Sequence, residues 1–163
     1  MANRYAPMTM DPAELLPFLD TALDGMLGIA ATLGDDHVND RPDLPGANTP
    51  YAIITHCIGV TDWWVGAMIA GRDVERHRDA EFTASGTVAD LAVAVDALMV
   101  RLRQDLDEIS PAAPIRHPER LREGTAARAW SQSAALIHTL EELAQHHGQL
   151  ELTRDMLVAR SSE

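Results

Sequence analysis

The 163-residue sequence predicts an all-α protein, a four-helix bundle. Three observations carry this expectation. Four stretches place apolar residues at spacings of three and four, the stripe of a helix with one buried face. Proline, glycine and capping residues punctuate those stretches where helices start and stop. No segment alternates apolar and polar residues as a strand would, and amphipathic helices bury their stripes against one another.

The first helix is expected from about Asp11 to Leu33, on the stripe Leu15, Leu19, Ala22, Met26, Ile29 and Leu33. Asp11-Pro12 reads as an N-cap and first-turn pair, and Gly34 as the stop. Pro17 conflicts with a start at Pro12, so the first turn is kinked or the helix begins later. The second helix starts at Thr49-Pro50, runs to about Ala70 and stops at Gly71. Ile54, Ile58, Val65 and Met68 form one apolar row, and Ile53, Val60 and Ala67 another. His56 and Trp63 lie with the second row, where a core side chain is wanted.

Thr87 with Asp90 has the pattern of a capping box and opens the third helix. Its stripe is Leu91, Val95, Leu98, Leu102, Leu106 and Ile109, ended by Ser110-Pro111. The fourth helix is expected from about Ala127 to Arg160. Two connections, Arg72 to Gly86 and Ser110 to Gly124, are long for a simple bundle, where roughly 2–8 residues is usual. One crosses the bundle and one overhangs a site; spacing does not say which.

Length and a 46% apolar composition suit one domain over residues 1–163. A formal charge of −12 argues against nucleic acid and against anionic membrane surfaces as partners. The 13 basic residues are all arginine, so lysine Schiff-base chemistry and a Walker-type phosphate loop are excluded. The single cysteine, Cys57, cannot form an intramolecular disulfide and reads as a small buried hydrophobe. No signal peptide is expected, nor an apolar run approaching the ~18 residues of a membrane span, which points to a cytoplasmic protein. Extra apolar faces on the second helix permit a homodimer without requiring one.

One row of the fourth helix reads Ala135, His138, Glu142, His146, Gln149, Leu152, Met156: apolar at the ends, polar in the middle. A carboxylate in a core-facing row is costly unless paired or bound to metal. Glu142 and His146, four apart, sit one turn from each other on one face. Together with His56 they make a His₂Glu set, which suits a catalytic zinc with an open fourth position and equally suits non-haem iron. His138 is either a supporting group or a replacement for one ligand, and His147 points about 100° away from His146. Trp63, His138 and Gln149 are candidate pocket residues. Neither the zinc-protease HExxH nor the paired ExxH of di-iron bundles is present.

The segment from His138 to Asp155, with Glu142, His146, His147, Gly148 and Gln149 at its centre, resembles the last helix of the DinB/YfiT-like metal-binding superfamily. ITHCIGVTDWWVGAMIAGR resembles that family's second helix, with His56 at the ligand position. The glutamate form is most similar to the branch of the mycothiol-dependent maleylpyruvate isomerase and the mycothiol S-transferases. The resemblance implies an up-down-down-up bundle with a three-ligand metal, usually Zn²⁺, that activates a low-molecular-weight thiol. It departs from the isomerase in having no segment past Arg160 for a further domain and in carrying Gln149 where histidine is frequent. The expectation is therefore a metal-dependent thiol S-transferase. It would use mycothiol as the thiol cosubstrate and an electrophilic small molecule as acceptor, in detoxification or stress protection. A thiol-dependent cis–trans isomerase and a non-catalytic metal-binding bundle are the alternatives.

Overall fold

The computed structural model describes residues 11–126 and 129–161. Four long helices dominate: α1 (Leu16–His37), α2 (Pro50–Thr61, continued by a π-helical segment, Asp62–Ala70), α4 (Val88–Asp107) and α6 (Gln132–Ser161). Two short helices, α3 (Arg78–Glu81) and α5 (Glu123–Ala126), lie in the long connections.

The proline conflict in the first helix is resolved by a break. Asp11 caps a 3₁₀ turn, Pro12–Glu14, and α1 begins afresh at Leu16 with Pro17 in its first turn, where a missing N–H costs nothing. Gly34 takes φ 65°, open to glycine and costly for other residues. It kinks the chain, which then makes one further turn to His37 instead of stopping. Thr49 caps α2 through a bond from Ala52 N, and the Thr87–Asp90 capping box opens α4 as expected. That helix ends at Asp107, so Ile109 lies past it. The expected start of the last helix at Ala127 lies outside the described residues; Ala129 and Trp130 are not helical, and α6 begins at Gln132.

Polar contacts at the helix ends fix the directions. The start of α4 meets the end of α1 (Val88 N to Asp35 Oδ1, 2.7 Å), and the end of α4 meets the start of α1 (Arg103 to Asp20, 3.6 Å). Arg160, ending α6, reaches Asp40 just beyond α1 at 3.1 Å. Arg72, just past α2, bonds Asp105 in the last turns of α4 at 2.8 Å. The order is thus up-down-down-up. Because α2 and α4 are parallel, the 71–87 connection must travel the length of the bundle. Because α4 and α6 are antiparallel, the 108–131 connection stays at one end.

Each of α1 and α2 packs on both α4 and α6. Leu19, Leu23, Met26, Ile53, Ile54, Leu98, Leu102, Leu136 and Leu143 are fully buried between them. Two segments, Pro12–His37 and Pro50–Ala70, do pass for membrane spans by length and composition, contrary to expectation. Their apolar side chains serve this core: 72% of the most apolar stretch of the second is buried, and 39% of that of the first. The polar row of α6 also differs from expectation. Leu152 is 68% exposed and Met156 39%, while Leu136, Thr139, Leu143, Leu150, Thr153 and Leu157 make the buried seam. The row therefore flanks the seam, leaving its polar centre half-buried at a cavity edge.

Candidate metal centre

His56 comes from the middle of α2 and is 3% exposed; Glu142 and His146 come from α6, one turn apart. One possible ligand atom of each lies within 4.8 Å of the others. The His56 and His146 rings meet edge to face at 5.0 Å between centroids. Nε2 of His146 stands 3.6 Å from Oε2 of Glu142. This is too long for a good hydrogen bond, and close to the roughly 3.4 Å separating two ligands of one tetrahedral zinc.

The remaining ring nitrogens are held from behind. His56 Nδ1 lies 2.7 Å from Oε2 of Glu81 on α3. Arg76 clamps the same carboxylate, Nε to Oε1 at 2.7 Å and Nη2 to Oε2 at 2.9 Å. Burial alone would raise the Glu81 carboxyl, but the bonds from Arg76 and His56 outweigh it and hold it at about 2. An ionised carboxylate only accepts, so His56 donates through Nδ1 and presents Nε2 as a lone pair to the cavity. Glu81 approaches this closely because residue 59 is glycine: a Cβ there would fall 2.8 Å from its Cδ. On α6, His146 Nδ1 donates to Oε1 of Gln149 at 2.8 Å. Both histidines thus have the carboxylate- or amide-backed arrangement that orients metal-binding imidazoles.

Charge inside the trio is complementary. The His146 imidazole beside it, with the nearby His138 and His56 rings, lowers the Glu142 carboxyl against its partial burial. The Glu142 carboxylate in turn raises the His146 imidazole. His138 faces the other oxygen of Glu142, Nε2 to Oε1 at 3.5 Å, and packs edge-on against Trp64 at 4.9 Å. It supports the carboxylate and lies outside the trio. His147 turns toward α1 and packs on Gly25.

A cavity of about 290 Å³ leads to this cluster. Trp63 and His138 line it beside His56 and Glu142, whereas Gln149 is exposed and engages His146. Arg76 and Arg78 enter from the crossing connection, and Arg120, Leu121, Arg122 and Thr125 from the one at the bundle end. Both connections thus border the site, the crossing one included. The π-helical winding begins at Asp62, immediately before Trp63 and Trp64, so the helix changes pitch where it must present two indoles to the cavity.

A family model described as mycothiol-S-transferase matches residues 14–159. The chain belongs to the mycothiol-S-transferase family. The DinB/YfiT-like resemblance read from the second and last helices is thereby borne out. No protein of curated function matches the sequence. A crystal structure described as the conserved protein of a locus from Enterococcus faecalis is similar at 15% identity and a TM-score of 0.70. The match covers 93% of this chain and 99% of that one, and carries the all-α bundle architecture.

Sequence reasoning missed Glu81, Arg76 and Phe82. They lie in the Arg72 to Gly86 connection, none of whose residues was given a role at the site. The signal available was Gly59, three residues after His56 inside a helix, where a small residue marks the close approach of another group.

Proposed function

We propose that this protein is a zinc-dependent thiol S-transferase that uses mycothiol. The carrying observation is the convergence of His56, Glu142 and His146 from two helices at the foot of a cavity. Family membership supports a transferase over a non-catalytic bundle. The donor set suits the ion: two imidazole nitrogens and one carboxylate, each backed or balanced by a neighbour, match the three-protein-ligand pattern of catalytic zinc. When bound, Zn²⁺ supplies Lewis acidity that deprotonates a coordinated thiol near neutral pH.

The chain's own residues do the rest. Glu81 and Gln149 fix which nitrogen each histidine offers. Trp63 and Trp64 wall the cavity with apolar rings that exclude water from one side. His138 keeps the carboxylate of Glu142 turned inward. Cys57 takes no part as nucleophile: it is fully buried, and burial with the Glu142 and Glu81 charges pushes its thiol far up.

The test is metal analysis of protein purified without chelators, paired with conjugation of mycothiol to monochlorobimane. One equivalent of zinc and a metal-dependent rate are expected. Metal-replete protein that accelerates no thiol, mycothiol included, would end this reading.

A further inference from the structure

Four of the 13 arginines, Arg76, Arg78, Arg120 and Arg122, line the cavity, and Glu142 is the one carboxylate among its lining residues. Arg76 is committed to Glu81. The other three have no carboxylate within 4.0 Å among the described residues, in a chain with 25 acidic side chains. Two of them are held in place. Arg120 Nη2 donates to the carbonyl of Val74 at 2.6 Å, and its guanidinium lies over the Trp63 ring at 4.5 Å. Arg78 lies over Phe82 at 4.9 Å, and Phe82 stacks on His56 at 4.6 Å. Guanidinium groups presented from two connections around one small cavity match carboxylates geometrically. They also create a local positive potential on a chain of net charge −12 that otherwise repels anions.

We propose that this arginine collar is an anion subsite receiving a carboxylate carried by the electrophilic co-substrate. The proposal rests on the transferase reading and adds the substrate class. Mycothiol carries hydroxyl and amide groups but neither carboxylate nor phosphate, so the collar has no charge partner on that thiol. The acceptor supplies it.

The test compares iodoacetate with iodoacetamide, which share the reacting carbon and leaving group and differ in charge. In both, mycothiol sulfur forms a C–S bond as the C–I bond breaks; iodide leaves with the electron pair and the thiol proton passes to water. Each rate is divided by its uncatalysed rate, using zinc-loaded full-length protein. The expected acceleration is at least ~10-fold greater for iodoacetate, the scale of one charge-assisted pair. In Arg78→Gln and Arg120→Gln the difference should shrink. A second readout needs no turnover: succinate, but not succinamide, should bind metal-free protein by calorimetry and bind more weakly to both variants. Equal accelerations without arginine-dependent succinate binding overturn the proposal while leaving the transferase reading intact. Arginine-dependent succinate binding without conjugation of any electrophile supports the subsite and overturns the transferase reading. A rate that favours glutathione over mycothiol and ignores the electrophile's charge places the anion on the thiol, and overturns the assignment to the acceptor.

Discussion

Oε2 of Glu81 lies 2.7 Å from Nδ1 of His56, joining a short helix of the crossing connection to the middle of α2. The bond decides which imidazole nitrogen faces the cavity. Glu81→Gln keeps the shape but removes the charge and leaves one oxygen to accept where Arg76 and His56 now use two, so the hold on Nδ1 weakens and the ring loses some basicity. Zinc affinity should fall by about 10- to 100-fold, the usual cost of losing such a partner. Competitive titration against a chelating dye measures it, with circular dichroism to verify the fold. An affinity within twofold of the parent would remove Glu81 from the site.

Metal and fold stability should be linked. An ion that binds only the folded chain stabilises it by RT ln(1 + [M]/Kd), about 2.7 kcal/mol at a hundredfold excess over Kd. Adding zinc to metal-free protein should raise Tm in proportion to the logarithm of its concentration. His146→Ala should abolish that rise. Calorimetric melts of both proteins, with and without zinc, decide it. An equal rise in His146→Ala would mean the ion binds elsewhere.

The same linkage carries a pH dependence. Glu142 raises the His146 imidazole above its ordinary value, so in metal-free protein this ring keeps its proton further up the pH scale. Stability from the charged pair is complete below the unfolded histidine value and is lost as pH rises through the raised folded one. Zinc needs the neutral ring and must displace that proton. Zinc affinity, and the Tm gain on adding it, should therefore increase with pH from just below to above neutrality and then level off. Proton release measured by calorimetry in buffers of different ionisation enthalpy gives an independent reading. A pH-independent affinity would exclude His146 as ligand.

How much of this was legible depended on whether the signal was local. The stripes, the Thr87–Asp90 box and the Glu142–His146 spacing repeat along a single helix, where the 3.6-residue period turns sequence distance into direction. His56 was found because an imidazole stood among apolar neighbours. Glu81 and Arg120 were not, because each reaches the site from a connection whose path is set by packing and not by period. Parallel α2 and α4 force the 71–87 segment along the bundle, and only that path brings Glu81 to a histidine 25 positions earlier. The end of the polar row on α6 misled for another reason: Leu152 and Met156 fit the period, but the buried seam runs beside them through Leu150, Thr153 and Leu157, and they face solvent.

Gly59 and Gly28 offer a paired test of the close approach. Both occupy helix interiors, where replacing glycine by alanine favours the helix by about 0.5–1 kcal/mol. At Gly28 a Cβ would meet nothing within 4 Å, so Gly28→Ala should gain that stability, about 1–4 °C in Tm, with zinc binding unchanged. At Gly59 the new methyl would collide with the Glu81 carboxylate, whose Cδ would be only 2.8 Å away. The carboxylate is pinned by Arg76 on its far side and cannot retreat without breaking that pair or the bond to His56. Gly59→Ala should therefore show no gain in Tm, and should lose zinc affinity by about tenfold, as removing the partner itself does. Melting curves and zinc titrations on the two variants read this directly. If Gly59→Ala behaves like Gly28→Ala, Glu81 does not press on α2, and the orientation of His56 must come from the Phe82 stack instead.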